Sequence, residues 1–200
     1  MPLESFKKIT SMHIRLLSFL LLFLLVISGC KKTVTEEFVP NGVVNIYVDY
    51  EKQPGPGSNQ WAVWIEDSDG NLVKTLFVTR FTADGGYIPR PSCTPLWVLK
   101  AQPDHLSQEA VDAFTGATPL SGIQTYSWDL TDADGNPTGA GTYVLMVEAT
   151  LYGESEVIYE MPVKIGPKKW TLNPIPVYAS DDETNKNMIR SVTVEYLLNK

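Results

Sequence analysis

Asp112-Ala113-Phe114-Thr115-Gly116-Ala117-Thr118 places a carboxylate, two hydroxyls and two very small residues in one short stretch. A threonine hydroxyl is a weak nucleophile, so it reacts only when a base and an electrophile are brought to it. An enzyme holding a metal ion can supply both. That enzyme has to reach the hydroxyl, which requires an exposed loop. Gly116 and Ala117 leave room for close backbone approach beside it. Asp112 has two open roles: accepting backbone N–H bonds to shape the turn, or polarising a hydroxyl for the modifying enzyme.

The order of residue types resembles the acceptor motif of extracytoplasmic flavoproteins that carry FMN covalently. That motif runs Asp, a small residue, any residue, Ser or Thr, Gly, Ala, then Thr or Ser, and every constrained position agrees. The resemblance implies that a flavin transferase esterifies the FMN phosphate to Thr118. Asp112, Thr115, Gly116 and Ala117 complete the motif, and Thr115 is the next candidate acceptor. Phe114 either packs in the core beneath the loop or lies against the flavin ring, with core packing the expected role.

Other groups offer less chemistry. Cys93 reads as a buried small hydrophobe, with a lone thiol as the alternative. His105 is the only histidine after the first thirty residues, so a His-rich metal site is excluded. A Cys93–His105 nucleophile pair has no motif around it. Asp132 to Asn136 invites a calcium loop but fails the EF-hand test: Pro137 stands where that loop needs glycine, and the distal glutamate is missing. A turn is the better account there and at Asp67 to Asn71. Trp61, Trp64 and Trp128 read as core or as one sheet face rather than a carbohydrate platform.

The N-terminus reads as an address. Lys7, Lys8 and Arg15 precede an apolar run from Leu16 to Ile27, which is short for a membrane span and shaped like a secretory signal. It ends Ile27-Ser28-Gly29-Cys30, which resembles a bacterial lipobox, with Cys30 as the lipidated first residue of the mature protein. Met12 is an alternative start. Residues 1–29 are thus the signal peptide and 30–42 the lipidated cysteine and tether. Lys31 and Lys32, with no aspartate after the cysteine, favour the outer membrane. The lipid is the anchor, so the mature chain need not cross a bilayer.

The whole chain carries 16 basic and 23 acidic residues; removing the signal leaves 13 against 22, a net charge near −9. Such a surface repels nucleic-acid backbones, so no nucleic-acid partner is expected. Cys93 is the only cysteine left beside the lipid site, so no intrachain disulfide forms.

The elements that must carry the motif are strands. Val44, Ile46, Val48 and Tyr50 alternate with polar neighbours. Strands are predicted at Trp61 to Glu66 and Leu72 to Phe81, joined by a turn at Asp67 to Asn71. Further strands are predicted through Tyr126 to Leu130, Thr142 to Tyr152, Glu156 to Ile165 (near an edge, because of Pro162) and Ser191 to Leu198. Trp170 to Tyr178 reads as an irregular edge strand. Regular patterning stops across 82–125, where glycines and prolines break the chain and a short helix is expected within Gln102 to Phe114. The prediction is all-β: one Ig-like antiparallel β-sandwich over 43–200, with a long irregular insertion at 82–125 presenting the Thr118 loop.

Two resemblances support that fold. "WAVWIEDSDGNLVKTLFV", "VDAFTGATP" at 111–119, Trp128-Asp129 and a Gly-Thr-Tyr-Val strand leading to "VEA" at 147–149 resemble the domain-of-unknown-function 2271 family of periplasmic proteins. The likeness covers most of 42–198. It departs at Leu130, a turn position where glycine is commoner, and at Thr115, where serine is commoner. "WDLTDADGNPTGAGTYVLMVEA" resembles a hairpin of the Ig-like module of the flagellar hook-capping protein. The first family is associated with flavin-transferase systems and membrane redox or iron traffic. That implies an electron carrier in the cell envelope, with a flavin transferase and a membrane redox partner. The alternative is a cofactor-free Ig-like lipoprotein that docks a partner.

Overall fold

The period-two patterning becomes two facing sheets in the computed structural model, which describes residues 38–55, 57–151, 155–178 and 187–199. The signal, Cys30 and the tether up to 37 lie outside the described residues, as does most of the polar loop at 181–187. In the first sheet, β1 (Gly42–Tyr50) lies between β5 (Gly122–Trp128) and β10 (Ile189–Leu198), with β8 (Trp170–Leu172) beyond β10. The second sheet has the order β4 (Thr115–Gly116), β3 (Leu72–Thr79), β2 (Gln60–Glu66), β6 (Gly141–Thr150), β7 (Glu156–Ile165), β9 (Val177–Tyr178). Every pairing is antiparallel except that of β3 with β4.

Burial explains why some strands alternate and others do not. β1 has one buried face, Val44, Ile46, Val48 and Tyr50. All of β2 is buried because both its faces are covered, so it reads as one apolar run. Trp61, Val63 and Ile65 point between the sheets with Trp128, Leu145 and Val147; Ala62 and Trp64 point the other way. The rings of Phe77 and Tyr126 meet Trp61 edge-on at 5.8 and 5.7 Å, an arrangement that adds to the burial of their faces.

The cover on the outer face is the stretch read as an irregular insertion, and much of it is helical. A helical turn spans Thr82–Gly86, α1 spans Pro95–Ala101, a 3-10 turn spans Pro103–His105 and α2 spans Gln108–Phe114. The short helix expected within 102–114 is α2, preceded by the 3-10 turn. Leu106 is extended, and Ser107 starts α2 afresh, its Oγ accepting the Ala110 N–H at 3.2 Å. The insertion also ends earlier than 125, since β5 begins at Gly122. Trp97, Val111 and Ala83 seal Trp64, Val78 and Met146 beneath them.

Three further expectations are refined. β5 and β6 do not form a hairpin, because they belong to different sheets and the connection between them crosses the sandwich. Trp170 to Tyr178 is two short strands, one in each sheet, separated by Pro174 and Pro176. Pro162 does sit where predicted, since among the described residues β9 pairs with β7 only at Val157 and Ile158, away from Pro162. The two Asp-x-Asp-Gly-Asn turns share one geometry. Asp67 and Asp132 each use Oδ1 to accept the backbone N–H groups two and four residues on, and Oδ2 to accept the asparagine amide.

Candidate functional site

α2 delivers the motif to the rim of the sandwich. Its last residue, Phe114, packs edge-on to Trp97 with ring centroids 6.2 Å apart, so Phe114 serves the core beneath the cap. β4 then runs parallel to the end of β3, with Thr115 opposite Val78 and Gly116 opposite Thr79. The chain passes the end of β3 and reaches the loop joining β1 to β2, where Thr118 Oγ1 donates to Asn59 O at 3.0 Å. Ser121 Oγ, accepting from Lys52 N at 3.0 Å, holds the same segment to the end of β1.

The base of this loop is a stiff polar knot. Asn59 Oδ1 accepts from Tyr50 OH at 2.9 Å and Gln53 N at 2.7 Å, and Asn59 Nδ2 donates to Gln53 O at 2.9 Å. Burial pushes the Tyr50 hydroxyl up to about 12, so it stays a donor at any ordinary pH.

The two motif hydroxyls are in different environments. Thr118 is half-buried, between exposed Ala117 and half-buried Pro119, and its hydroxyl makes one bond to a carbonyl at the rim. Thr115 Oγ1 is buried and has no hydrogen-bond partner. The two hydroxyls thus differ in what holds them: Thr118 Oγ1 is bonded to a carbonyl, whereas Thr115 Oγ1 is sealed beside β3.

Gly116 and Asp112 also have roles in the fold. A Cβ on Gly116 would come within 2.8 Å of Phe77 Cε2, so the close approach there is by a core ring. Asp112 shapes no turn. It lies on α2 and accepts from Arg80 Nη1 at 2.9 Å and Gln108 Nε2 at 3.2 Å, with Asp84 3.8 Å from the same guanidinium. The Arg80 bond first, then Gln108, hold its carboxyl below the usual range. Arg80 and Asn59 were not legible as partners of the motif, being respectively 32 and 59 residues away from the groups they bind.

An apolar cleft of about 230 Å³ lies against α2, lined in part by Leu72, Thr75, Leu106, Ala113 and Phe114. Thr75 pairs with Trp64, five residues along the chain from Asn59. At ~3.3 Å per residue that puts the cleft about 17 Å from the Thr118 hydroxyl along the strand direction. The residues at Thr118 fit the attachment end of FMN: a hydroxyl bonded only to a carbonyl, preceded by the small residues Gly116 and Ala117, of which Ala117 is exposed.

The remaining candidates do not assemble a second centre. Cys93 is fully buried, and burial raises its thiol, against the nearby Arg90 charge, which lowers it. His105 faces solvent 3.6 Å from Asp104. Trp61, Trp64 and Trp128 are buried, on both faces of the second sheet and in the main core.

The fold and rim define a β-sandwich with a helical cap over one sheet and a threonine loop held at the sheet's end. The family model described as "Predicted periplasmic protein (DUF2271)" matches residues 44–175, and the chain belongs to that family. The matched span contains the whole of Asp112 to Thr118. Among the described residues, no helix is long and apolar enough to cross a membrane. Searches among curated proteins and among solved structures find no match.

Proposed function

We propose that this protein is a lipid-anchored extracytoplasmic flavoprotein that carries FMN esterified to Thr118 and passes electrons within an envelope redox system. The lipid on Cys30 would hold it to the membrane, on the periplasmic or surface face of the outer membrane. A flavin transferase would load it, and a membrane protein would exchange electrons with it.

The observation that carries this reading is the combination of motif and accessibility: of the two hydroxyls in Asp112 to Thr118, the one at the acceptor position is the one at the rim. When bound, FMN supplies a group that accepts and donates electrons. The chain's own part is to present Oγ1. The Asn59 carbonyl accepts a hydrogen bond from it and orients the oxygen. The Tyr50–Asn59–Gln53 knot keeps that carbonyl in place.

The test is co-expression with a flavin transferase, followed by intact mass and visible absorbance of the purified protein. The wild type should gain one FMN less water per chain. Thr118→Ala should gain none and melt normally, and Thr118→Ser should label. An unlabelled wild type would leave a cofactor-free docking module as the reading. Full labelling of Thr118→Ala would reject Thr118 as the acceptor.

A further inference from the structure

Arg90 is a cation the fold has gone to some length to place. Its guanidinium lies over the Phe81 ring at 5.6 Å from the centroid, and Nη2 donates to Ser58 O at 2.8 Å. Two glycines make this packing possible. A Cβ on Gly57 would come within 2.6 Å of Nη1, and one on Gly86 would meet first the Phe81 carbonyl oxygen and then its ring at 2.5 Å. Phe81 remains 46% exposed, so the stack faces solvent on one side.

Among the described residues, the other two arginines each face a pair of carboxylates: Arg80 faces Asp112 and Asp84, and Arg190 faces Asp49 and Glu51. No described carboxylate pairs with Arg90; its buried Nε has no hydrogen-bond partner, and the side chain that meets it from within the fold is the Cys93 thiol, which burial keeps from ionising. In a chain of net charge −7, a built guanidinium without a carboxylate suggests that its counter-ion comes from elsewhere.

The position of Arg90 indicates which anion. Ser58 O accepts from Arg90 and the next carbonyl, Asn59 O, accepts from Thr118. Two hydrogen bonds onto neighbouring peptides keep the guanidinium and Oγ1 within about 12 Å of each other even at full stretch.

We propose that Arg90 is the counter-charge for a phosphoryl group carried on Thr118, with the Arg90–Phe81 stack forming one wall of its seat; this rests on the covalent-FMN reading above. Esterification replaces the Oγ1–H bond by an Oγ1–P bond. The proton goes to the transferase's base, and the leaving group of an activated flavin phosphate donor takes the electron pair of the bond that breaks. Oγ1 then has no proton for Asn59 O, so the bond that held the side chain at the rim is lost and Thr118 can turn toward Arg90. The phosphodiester keeps one negative charge with two free oxygens, which the planar guanidinium fork matches.

The test compares transferase-loaded wild type with loaded Arg90→Gln, Arg90→Lys and Gly57→Ala. Intact mass gives the loading, and fluorescence anisotropy of the attached flavin, with and without added salt, gives the pairing. The expected result is equal loading, with anisotropy lost in Arg90→Gln and partly kept in Arg90→Lys. Gly57→Ala, which crowds Nη1 without changing charge, should also lower anisotropy and provides the test if Arg90→Gln fails to fold. Salt should lower anisotropy in the wild type but not in Arg90→Gln. Equal loading with identical anisotropy in all four proteins overturns the inference and leaves the flavin reading standing. No mass gain on the wild type removes both. Inorganic phosphate titrated into unlabelled protein separates the sources. An Arg90-dependent rise in Tm, with no difference among the loaded proteins, assigns Arg90 to free phosphate and overturns its link to Thr118.

Discussion

Glu148 offers the sharpest test of how the helical cap is fastened. It lies on β6 with no exposure, pointing outward beneath α1, where Oε1 accepts from Leu96 N at 3.0 Å and Oε2 from Trp97 N at 2.9 Å. Burial, and then the neighbouring Glu156, push its carboxyl well above the usual carboxylate range. Glu156 Oε1 is itself buried with no hydrogen-bond partner, so two negative carboxylates side by side there are disfavoured and a proton on Glu148 relieves the repulsion. The sign follows from linkage. The folded state holds a proton that the unfolded chain releases near its ordinary value of about 4.3. This group's contribution is therefore complete below that value and falls away as pH rises through the raised folded value. Glu148→Gln keeps one acceptor but turns an amide N–H toward the other backbone donor, which should cost about 1–3 kcal/mol at pH 5. Glu148→Ala strands both donors and should cost roughly twice that. The assay is urea unfolding of wild type and Glu148→Gln at intervals from pH 4.5 to 9, with hydrogen exchange at Leu96 and Trp97. Wild-type stability should fall toward alkaline pH more steeply than that of the variant, so the gap narrows. Parallel pH curves would mean the pair holds no extra proton, and the account of the cap's attachment would fail.

Four other outcomes can be measured. Gly116→Ala should lower Tm by displacing the Phe77 ring, and if the glycine matters only to the fold, loading at Thr118 should survive. Leu130 is 4% exposed and has φ +60°, so Leu130→Gly relieves about 1–2 kcal/mol of left-handed strain but loses about 2–5 kcal/mol of packing. Urea unfolding should show net destabilisation, and a gain in stability would contradict the packing argument. Trp97→Ala should cost about 3–5 kcal/mol and raise exchange throughout the cap. In a Cys30→Ser background, the Cys93 thiol should react with a thiol reagent only at the rate of unfolding, and fast native-state reaction would show that the cap opens.

How far the sequence could be read depended on whether the relevant contacts were local. β1 and β7 were legible because each buries one face, leaving polar residues such as Glu160 and Lys164 on the other. Of the helices over the second sheet, α2 falls within the short helix expected in 102–114, whereas α1, seven residues among prolines, was too short for a helical period to stand out. Their presence was still encoded in β2: a strand buried at every position implies cover on both faces, and "QWAVWIE" is such a strand. Glu148 carried a similar signal, since a carboxylate inside an apolar strand needs partners, but nothing in the spacing named Leu96 and Trp97. Leu130 shows the reverse case. Where the resemblance led us to expect glycine, Leu130 has a positive φ, a conformation that suits glycine, and burial of the leucine in the main core offsets that strain.

The motif itself marks where sequence reading ran out. Thr115 and Thr118 are chemically identical, and residue types alone put both within one short polar stretch. Position distinguishes them, because Thr115 sits in a strand paired to Val78 while Thr118 lies beyond the end of β3, where no ladder can cover it. Shortening the approach should therefore exchange their fates. Val78 is paired to both Ala62 on β2 and Thr115 on β4, so a proline there would break a ladder bond on one of its sides and loosen this end of the sheet, β4 included. If accessibility chooses the acceptor, loaded Val78→Pro should show flavin on Thr115 as well as Thr118 in peptide mass maps. Labelling confined to Thr118 in a protein whose β4 has come free would mean that the transferase reads position in the motif, not exposure.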